Sequence, residues 1–143
     1  FNMLKLYVCG FLFSPDKQHV VLIKKNKPDW QKGKLNGVGG KVEDEDLSFK
    51  AAMIREFKEE TGQLVESWEQ YAEIYGDGYR CIFFKAFSDY FRSVESTTDE
   101  KIHVCHTELL LYNNSGSLIP NLKYLIPMAL DENIVKAEII ENS

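Results

Sequence analysis

Apolar and polar positions divide the chain into strands, one acidic helix and a lysine-rich gap. Leu4 to Phe13 is rich in β-formers and predicts a strand. SPDKQ at 14–18 is turn chemistry, and His19 to Ile23 (HVVLI) reads as a short buried strand, so the two form a hairpin. The segment KKNKPDWQKGKLNGVGGK at 24–41 is rich in lysine and glycine and predicts a loop, with room for a short strand near Leu35. A helix is expected from Ser48, its N-cap, to Thr61, with Gly62 as the stop. Strands follow over 65–75 and from Tyr79 to Phe87 across a GDG turn at 76–78. SVESTTDE at 93–100 is a polar loop, and Lys101 to Cys105 predicts another strand. Pro120 opens a second helix to about Leu130, bent at Pro127. Ile134 to Ile140 suits a last strand or a helical tail. This alternation predicts an α/β or α+β fold layered around one sheet, as a single domain over residues 1–143.

The stretch REFKEETG at 55–62 carries Glu56, Glu59 and Glu60 within an arc of about 100° on a helical wheel. Ala51, Met53, Ile54 and Phe57 lie largely opposite as a core stripe, with Lys58 at its edge. Arg55, one turn before Glu59, is placed to hold its carboxylate. Two readings are open. The face is a solvated acidic surface, or it is a hard-cation site, since clustered carboxylate oxygens suit Mg²⁺ or Mn²⁺. The lysine- and glycine-rich segment upstream favours the second, because its amides and ammonium groups suit phosphate. Phosphate and carboxylates share a site comfortably only with a cation between them. A P-loop is excluded: counting back from Gly40-Lys41, its first glycine falls on Leu35, and Val42 stands where the magnesium-binding hydroxyl belongs.

Composition narrows the partners. A net charge of −5 makes a polynucleotide-binding surface unexpected. Three cysteines, Cys9, Cys81 and Cys105, without framework spacing read as reduced thiols of a cytoplasmic protein. No apolar run approaches the roughly 20 residues that span a bilayer, so no membrane partner is expected. His103, Cys105 and His106 lack a partnering ligand pair and are not read as a zinc site. Phe1 and Asn2 precede Met3 and read as an expression remnant.

Gly40 to Gln63 resembles the signature of the Nudix hydrolases of MutT type, G-x5-E-x7-R-E-U-x-E-E-x-G-U, with U a bulky aliphatic residue. Arg55 to Gly62 fits closely, with Phe57 at a U position, and GGKVE at 39–43 also fits. Two departures stand out. Fourteen residues rather than thirteen separate Gly40 from Arg55, and Gln63 takes the final U position. The extra residue is read as a bulge in EDED at 43–46, which assigns the supporting acid to Asp46, with Glu45 as the alternative.

The resemblance implies an α/β/α sandwich with a central mixed sheet, as a monomer or homodimer. It implies Glu56, Glu59 and Glu60 as ligands of Mg²⁺ or Mn²⁺, joined by the Gly39 carbonyl, with Arg55 orienting the carboxylates. Glu100 is the expected distant acid, with Asp99 and Glu95 as rivals. The implied reaction hydrolyses a nucleoside diphosphate linked to another group. The ion neutralises the polyphosphate and acidifies the attacking water, with Glu56 or Glu59 as candidate base. Lys24 and Lys41 are candidate phosphate contacts, the alternative for Lys24 being a solvated strand end.

LNGVGGK at 35–41 is similar to W-N-G-F-G-G-K of the mammalian oxidised-purine nucleoside triphosphatases, which makes Asn36 a candidate base contact. IPNLKYLIP at 119–127 resembles their W-P-D-D-S-Y-W-F-P. Pro120, Tyr124 and Pro127 match, while Asn121 and Leu122 replace two aspartates and Ile119 a stacking tryptophan. The expected substrate is therefore a nucleoside triphosphate, cleaved to monophosphate and pyrophosphate and read by Asn36, Asn121 and Tyr124, with no preference for an oxidised base assigned. Trp30 either lids the base or packs its loop onto the core. ADP-ribose and dinucleoside polyphosphates are the alternative substrates. A non-catalytic nucleotide sensor is a weaker reading, because all three glutamates are present.

Overall fold

The computed structural model describes residues 4–111 and 116–142. Eight strands form one mixed sheet: β1 (Lys5–Phe13), β2 (His19–Lys24), β3 (Leu35–Asn36), β4 (Val38–Lys41), β5 (Glu69–Gly76), β6 (Tyr79–Phe87), β7 (Ile102–His106) and β8 (Ala137–Ile140). Its main path runs β3-β2-β1-β6-β5-β8, with β4 also on β1 and β7 on β2. The centre is the parallel pair β1/β6, in register from Lys5↔Tyr79 to Phe13↔Phe87. Two strands share the other edge of β1. Its first half pairs β4, from Tyr7↔Lys41 to Gly10↔Val38, and its end pairs β2 at Leu12↔Val21 and Phe13↔Val20.

Period-two alternation along β1 and β2 sends side chains to two cores. Phe11, Phe13, Val20 and Leu22 join a cluster with Leu122, Leu125, Ile126 and Ala129 of α3 (Leu122–Leu130). Val8, Leu12, Val21 and Ile23 join Ala52, Met53 and Phe57 of α1 (Phe49–Thr61) on the opposite face. The result is the expected α/β/α sandwich around a central mixed sheet. A short helix α2 (Thr107–Leu111) follows β7 directly.

Several boundaries differ from the sequence reading. The glycine-rich end of the 24–41 segment forms β4, because the free edge of β1 recruits it where its own β propensity is poor. The fifth strand starts at Glu69, while Val65 and Trp68 are buried ahead of it. Ala52, rather than Ala51, is the buried alanine of α1. The tail resolves as a strand, β8, parallel to β5. The helix after β7 had no counterpart in the expected elements, and α3 continues through Pro127 as one helix.

Candidate active site

Helix α1 is fixed at both ends by its own sequence. Ser48 caps it, its hydroxyl accepting from the Ala51 amide at 3.0 Å. Gly62 ends it at φ 76°, a left-handed conformation that suits glycine. Between them Arg55 gathers the acids. Its Nε and Nη2 donate to the two oxygens of Asp46 at 2.9 and 2.8 Å, and Nη2 also reaches the Lys41 carbonyl at 3.2 Å. Its Nη1 donates to Glu56 at 3.0 Å and to both oxygens of Glu59 at 3.2 and 3.3 Å. The bonds from Arg55 hold the Asp46 carboxyl below its usual range against the effect of burial. Asp46 rather than Glu45 meets the guanidinium because a tight turn, with the Glu43 amide donating to Asp46 Oδ2 at 2.8 Å, aims it there.

Glu56 is 8% exposed although charged. It lies directly over Gly40 of β4, where a Cβ atom would come 2.5 Å from its Oε1. Only a strand position without a side chain admits the carboxylate there. Burial, then the charges of Glu59 and Glu60, push the Glu56 carboxyl up, and Arg55 opposes them. Glu60 is pushed up by burial and by the charge of Glu100, and Thr98 Oγ1 donates to it at 2.9 Å. The segment 95–100 is fastened to the last turn of α1: the Glu95 amide donates to the Thr61 carbonyl at 3.0 Å, and Thr97 Oγ1 to the Glu59 carbonyl.

Glu100, the expected distant acid, is 6% exposed and sits beside Glu60. One of its oxygens accepts from Lys25 Nζ at 3.2 Å and the other from the Asn26 amide at 2.6 Å. Lys25 and Thr98 were not among the residues singled out in the sequence. A signal for Lys25 existed: it continues the face of Val21 and Ile23, which lies on the α1 side, whereas Lys24 continues that of Val20 and Leu22. Lys24 itself is exposed at the end of β2, and Lys41 is exposed at the end of β4.

The remaining expected residues lie elsewhere. Asn36 accepts from the Gly37 amide at 2.8 Å and donates to Gln31 at 3.2 Å, and Cys9 Sγ of the α3-side core lies 3.9 Å from its Oδ1. Backbone bonds between Leu35 and the Ser117–Ile119 segment bring β3 to the start of α3. There the Asn121 Oδ1 atom is buried without a partner, and Tyr124 packs against the α3-side core. Trp30 is 62% exposed, so it does not pack its loop onto the core. A cleft of about 420 Å³ lined by Pro15, Glu69, Lys85 and Val135 contains none of these residues.

The carboxylate cluster is short of positive charge. Among the described residues no three acidic, histidine or cysteine side chains converge closely enough to hold a metal ion as they stand. Arg55 stands between Glu56 and Glu59, and Glu60 turns to Thr98. An all-oxygen donor set, with the buried Glu56 and half-buried Glu60 carboxyls both pushed up by desolvation and by their neighbours' charge, fits a hard divalent cation. Among the described residues no helix is long and apolar enough to cross a membrane.

The NUDIX domain family model matches residues 3–114. No curated protein sequence matches the chain. Among solved structures, a NUDIX hydrolase from Nitrosomonas europaea superposes with a TM-score of 0.78 at 16% identity, covering 100% of this chain and 81% of that one. The NUDIX domain of Shewanella oneidensis NrtR, solved with ADP ribose, gives 0.77 at 19% identity over 91% of this chain and 88% of that one. The MutT protein from Bacillus halodurans gives 0.71 at 18% identity over 97% and 91%. At these identities the neighbours establish a shared fold, and the family match extends that to the carboxylate-bearing segment itself. Nudix hydrolases generally use divalent metal ions, in keeping with the donor set around Glu56. The chain belongs to the NUDIX domain family.

Proposed function

We propose that the protein hydrolyses nucleoside triphosphates, ribo or deoxy, to the monophosphate and pyrophosphate, using Mg²⁺ or Mn²⁺. The observation that carries this reading is the arginine-centred group of Glu56 and Glu59, beside Glu60 and tied to the end of β4 by the bond from Arg55 to the Lys41 carbonyl. Glu56, Glu59 and Glu60 would hold the ion, with the Gly39 carbonyl as the backbone donor. When bound, the ion neutralises the polyphosphate and acidifies the attacking water. Arg55 orients Glu56 and Glu59, Asp46 fixes Arg55, and whichever of the two glutamates faces the water accepts its proton. Lys41 contributes charge to the phosphates from the end of β4.

The nucleoside is assigned to the α3 side of the sheet, where Asn36 and Asn121 offer amide edges beside Tyr124. The unpartnered Asn121 Oδ1 supports this, because a buried acceptor without a donor costs about 1–3 kcal/mol that a base N–H would recover. ADP-ribose is the second reading, supported by the ADP ribose held by the NrtR domain of similar fold.

The test is phosphate release with added inorganic pyrophosphatase, measured across NTPs, dNTPs, 8-oxo-dGTP and ADP-ribose with Mg²⁺ or Mn²⁺. Turnover of triphosphates with loss of orders of magnitude in Glu59→Gln is expected. Activity confined to ADP-ribose would replace the first reading with the second, and an undiminished Glu59→Gln enzyme would refute the ligand assignment.

A further inference from the structure

Glu100 is a buried carboxylate whose two oxygens both have partners within the chain. Lys25 Nζ lies 3.2 Å from one and the Asn26 amide 2.6 Å from the other. The Asn26 side chain closes the arrangement by donating to the Asp99 carbonyl at 3.0 Å. A carboxylate so engaged is built to hold an ammonium in place, and to bind a metal ion it would have to surrender one of these bonds. We propose that Glu100 is a positioning residue for Lys25, and that the Lys25 ammonium receives a substrate phosphate between the carboxylate cluster and the α3-side pocket. The inference rests on the nucleotide-hydrolysis reading above.

Three observations carry it. First, an ammonium has three N–H donors. Among the described residues Glu100 is the hydrogen-bond partner of Lys25 Nζ, so donors remain for an incoming oxygen. The lysine side chain is only 17% exposed, so a bond made there is little weakened by solvent. Second, Lys25 stands between the two halves of the expected substrate. Its amide donates to the Lys34 carbonyl at 2.9 Å, two residues before Asn36, and its partner Glu100 lies two residues after Thr98, which donates to Glu60 at 2.9 Å. A polyphosphate running from a base at Asn36 to an ion at Glu56 and Glu60 would pass this point. Third, the arrangement is rigid with respect to the acids. Thr97 and Thr98 tie the segment bearing Glu100 to the Glu59 carbonyl and the Glu60 carboxylate. The Glu100–Lys25 pair is therefore placed by the same helix that places the metal-binding glutamates.

The test separates a metal ligand from a positioning residue. Lys25→Met is expected to raise KM for a nucleoside triphosphate by about tenfold or more, the loss of a charge-assisted hydrogen bond. Lys25→Arg should recover part of this, and the charge-loss control Lys136→Ala, at an exposed lysine outside the 24–41 segment, should leave KM unchanged. Glu100→Gln should raise KM in the same direction. The double variant should be no worse than Lys25→Met, and the metal concentration for half-maximal activity should stay as in wild type. Calorimetric titration of pyrophosphate with Ca²⁺ should show the same weakening in both single variants without turnover. Thermal unfolding identifies any variant that fails to fold, and Lys25→Gln then replaces it. Unchanged KM and pyrophosphate affinity in Lys25→Met overturn the proposal, as does a Glu100→Gln enzyme whose only change is a higher metal requirement. A wild-type enzyme active on triphosphates with an unaffected Lys25→Met variant sinks this inference alone, while inactivity of the wild type on every phosphoanhydride sinks it together with the functional reading.

Discussion

Arg55 settles how three acids, Asp46, Glu56 and Glu59, can crowd one helix and the turn before it. Its planar fork meets Asp46 with two parallel bonds and leaves Nη1 for Glu56 and Glu59. A lysine cannot reproduce that fork. Arg55→Lys should therefore lower kcat at least about tenfold, from the loss of charge-assisted bonds that each contribute roughly 1.5–3 kcal/mol. Steady-state kinetics beside a circular dichroism spectrum would check that activity falls while the fold persists. Gly40→Ala makes a sharper prediction. The new methyl meets the end of a flexible side chain rather than backbone, so stability should change by less than about 1 kcal/mol while the Glu56 carboxylate is displaced. Weakened Mn²⁺ binding by calorimetry at near-normal melting temperature is the expected outcome. At this scale the acidic stretch was legible because its residues are neighbours on one helix. Lys25 and Thr98 were not, because their roles exist only after segment 95–100 has docked on α1 from a distance of 38 residues in sequence.

The elements carry the site through their ends and faces. Ser48 and Gly62 fix the frame of α1, so the acids on its sheet-facing edge cannot drift. Ser48→Ala should cost about 1 kcal/mol. For a domain of this size that corresponds to roughly 3 °C in melting temperature, readable by calorimetry, with KM unaffected. Phe57 anchors the apolar side of the same helix, edge-on to Trp68 with ring centroids 5.1 Å apart. Its truncation to alanine should cost about 3–5 kcal/mol and show as a large drop in denaturation midpoint. The helix boundaries were readable in advance because caps are local chemistry. Strand β4 was not, because Val38-Gly39-Gly40-Lys41 has almost no strand preference of its own and owes its conformation to β1.

Across the whole molecule, the sheet separates the carboxylate-bearing helix α1 on one face from Tyr124 and the rest of α3 on the other. The α/β/α layering was expected from the resemblance of residues 40–63 to the Nudix signature, whereas strand order was not, since nothing local announces that β1 pairs β6. On β5 and β6, Arg80 donates to the buried Glu73 at 2.7 Å and stacks over Phe49, the first residue of α1, with 5.2 Å to the ring centroid. Burial alone would raise the Glu73 carboxyl, but the bonds from Tyr75 and Arg80 outweigh it and hold the group below its ordinary value of 4.5. The native state therefore favours the ionised form. Its stabilising contribution is complete above that ordinary value and is lost as pH falls through the lower native one. Glu73→Gln should be less stable than wild type at pH 7, and the gap should narrow below about pH 4. Thermal melts at both pH values would check the sign.

The parallel union of β1 with β6 has a consequence for biosynthesis. As the polypeptide leaves the ribosome, the first strand can zip to β2 and β4 within a few dozen residues, but its other flank stays bare until Phe87 has emerged. During that interval Val8, Phe11 and Leu12 belong to a half-covered ribbon, a surface that stalled, truncated nascent chains would offer to one another.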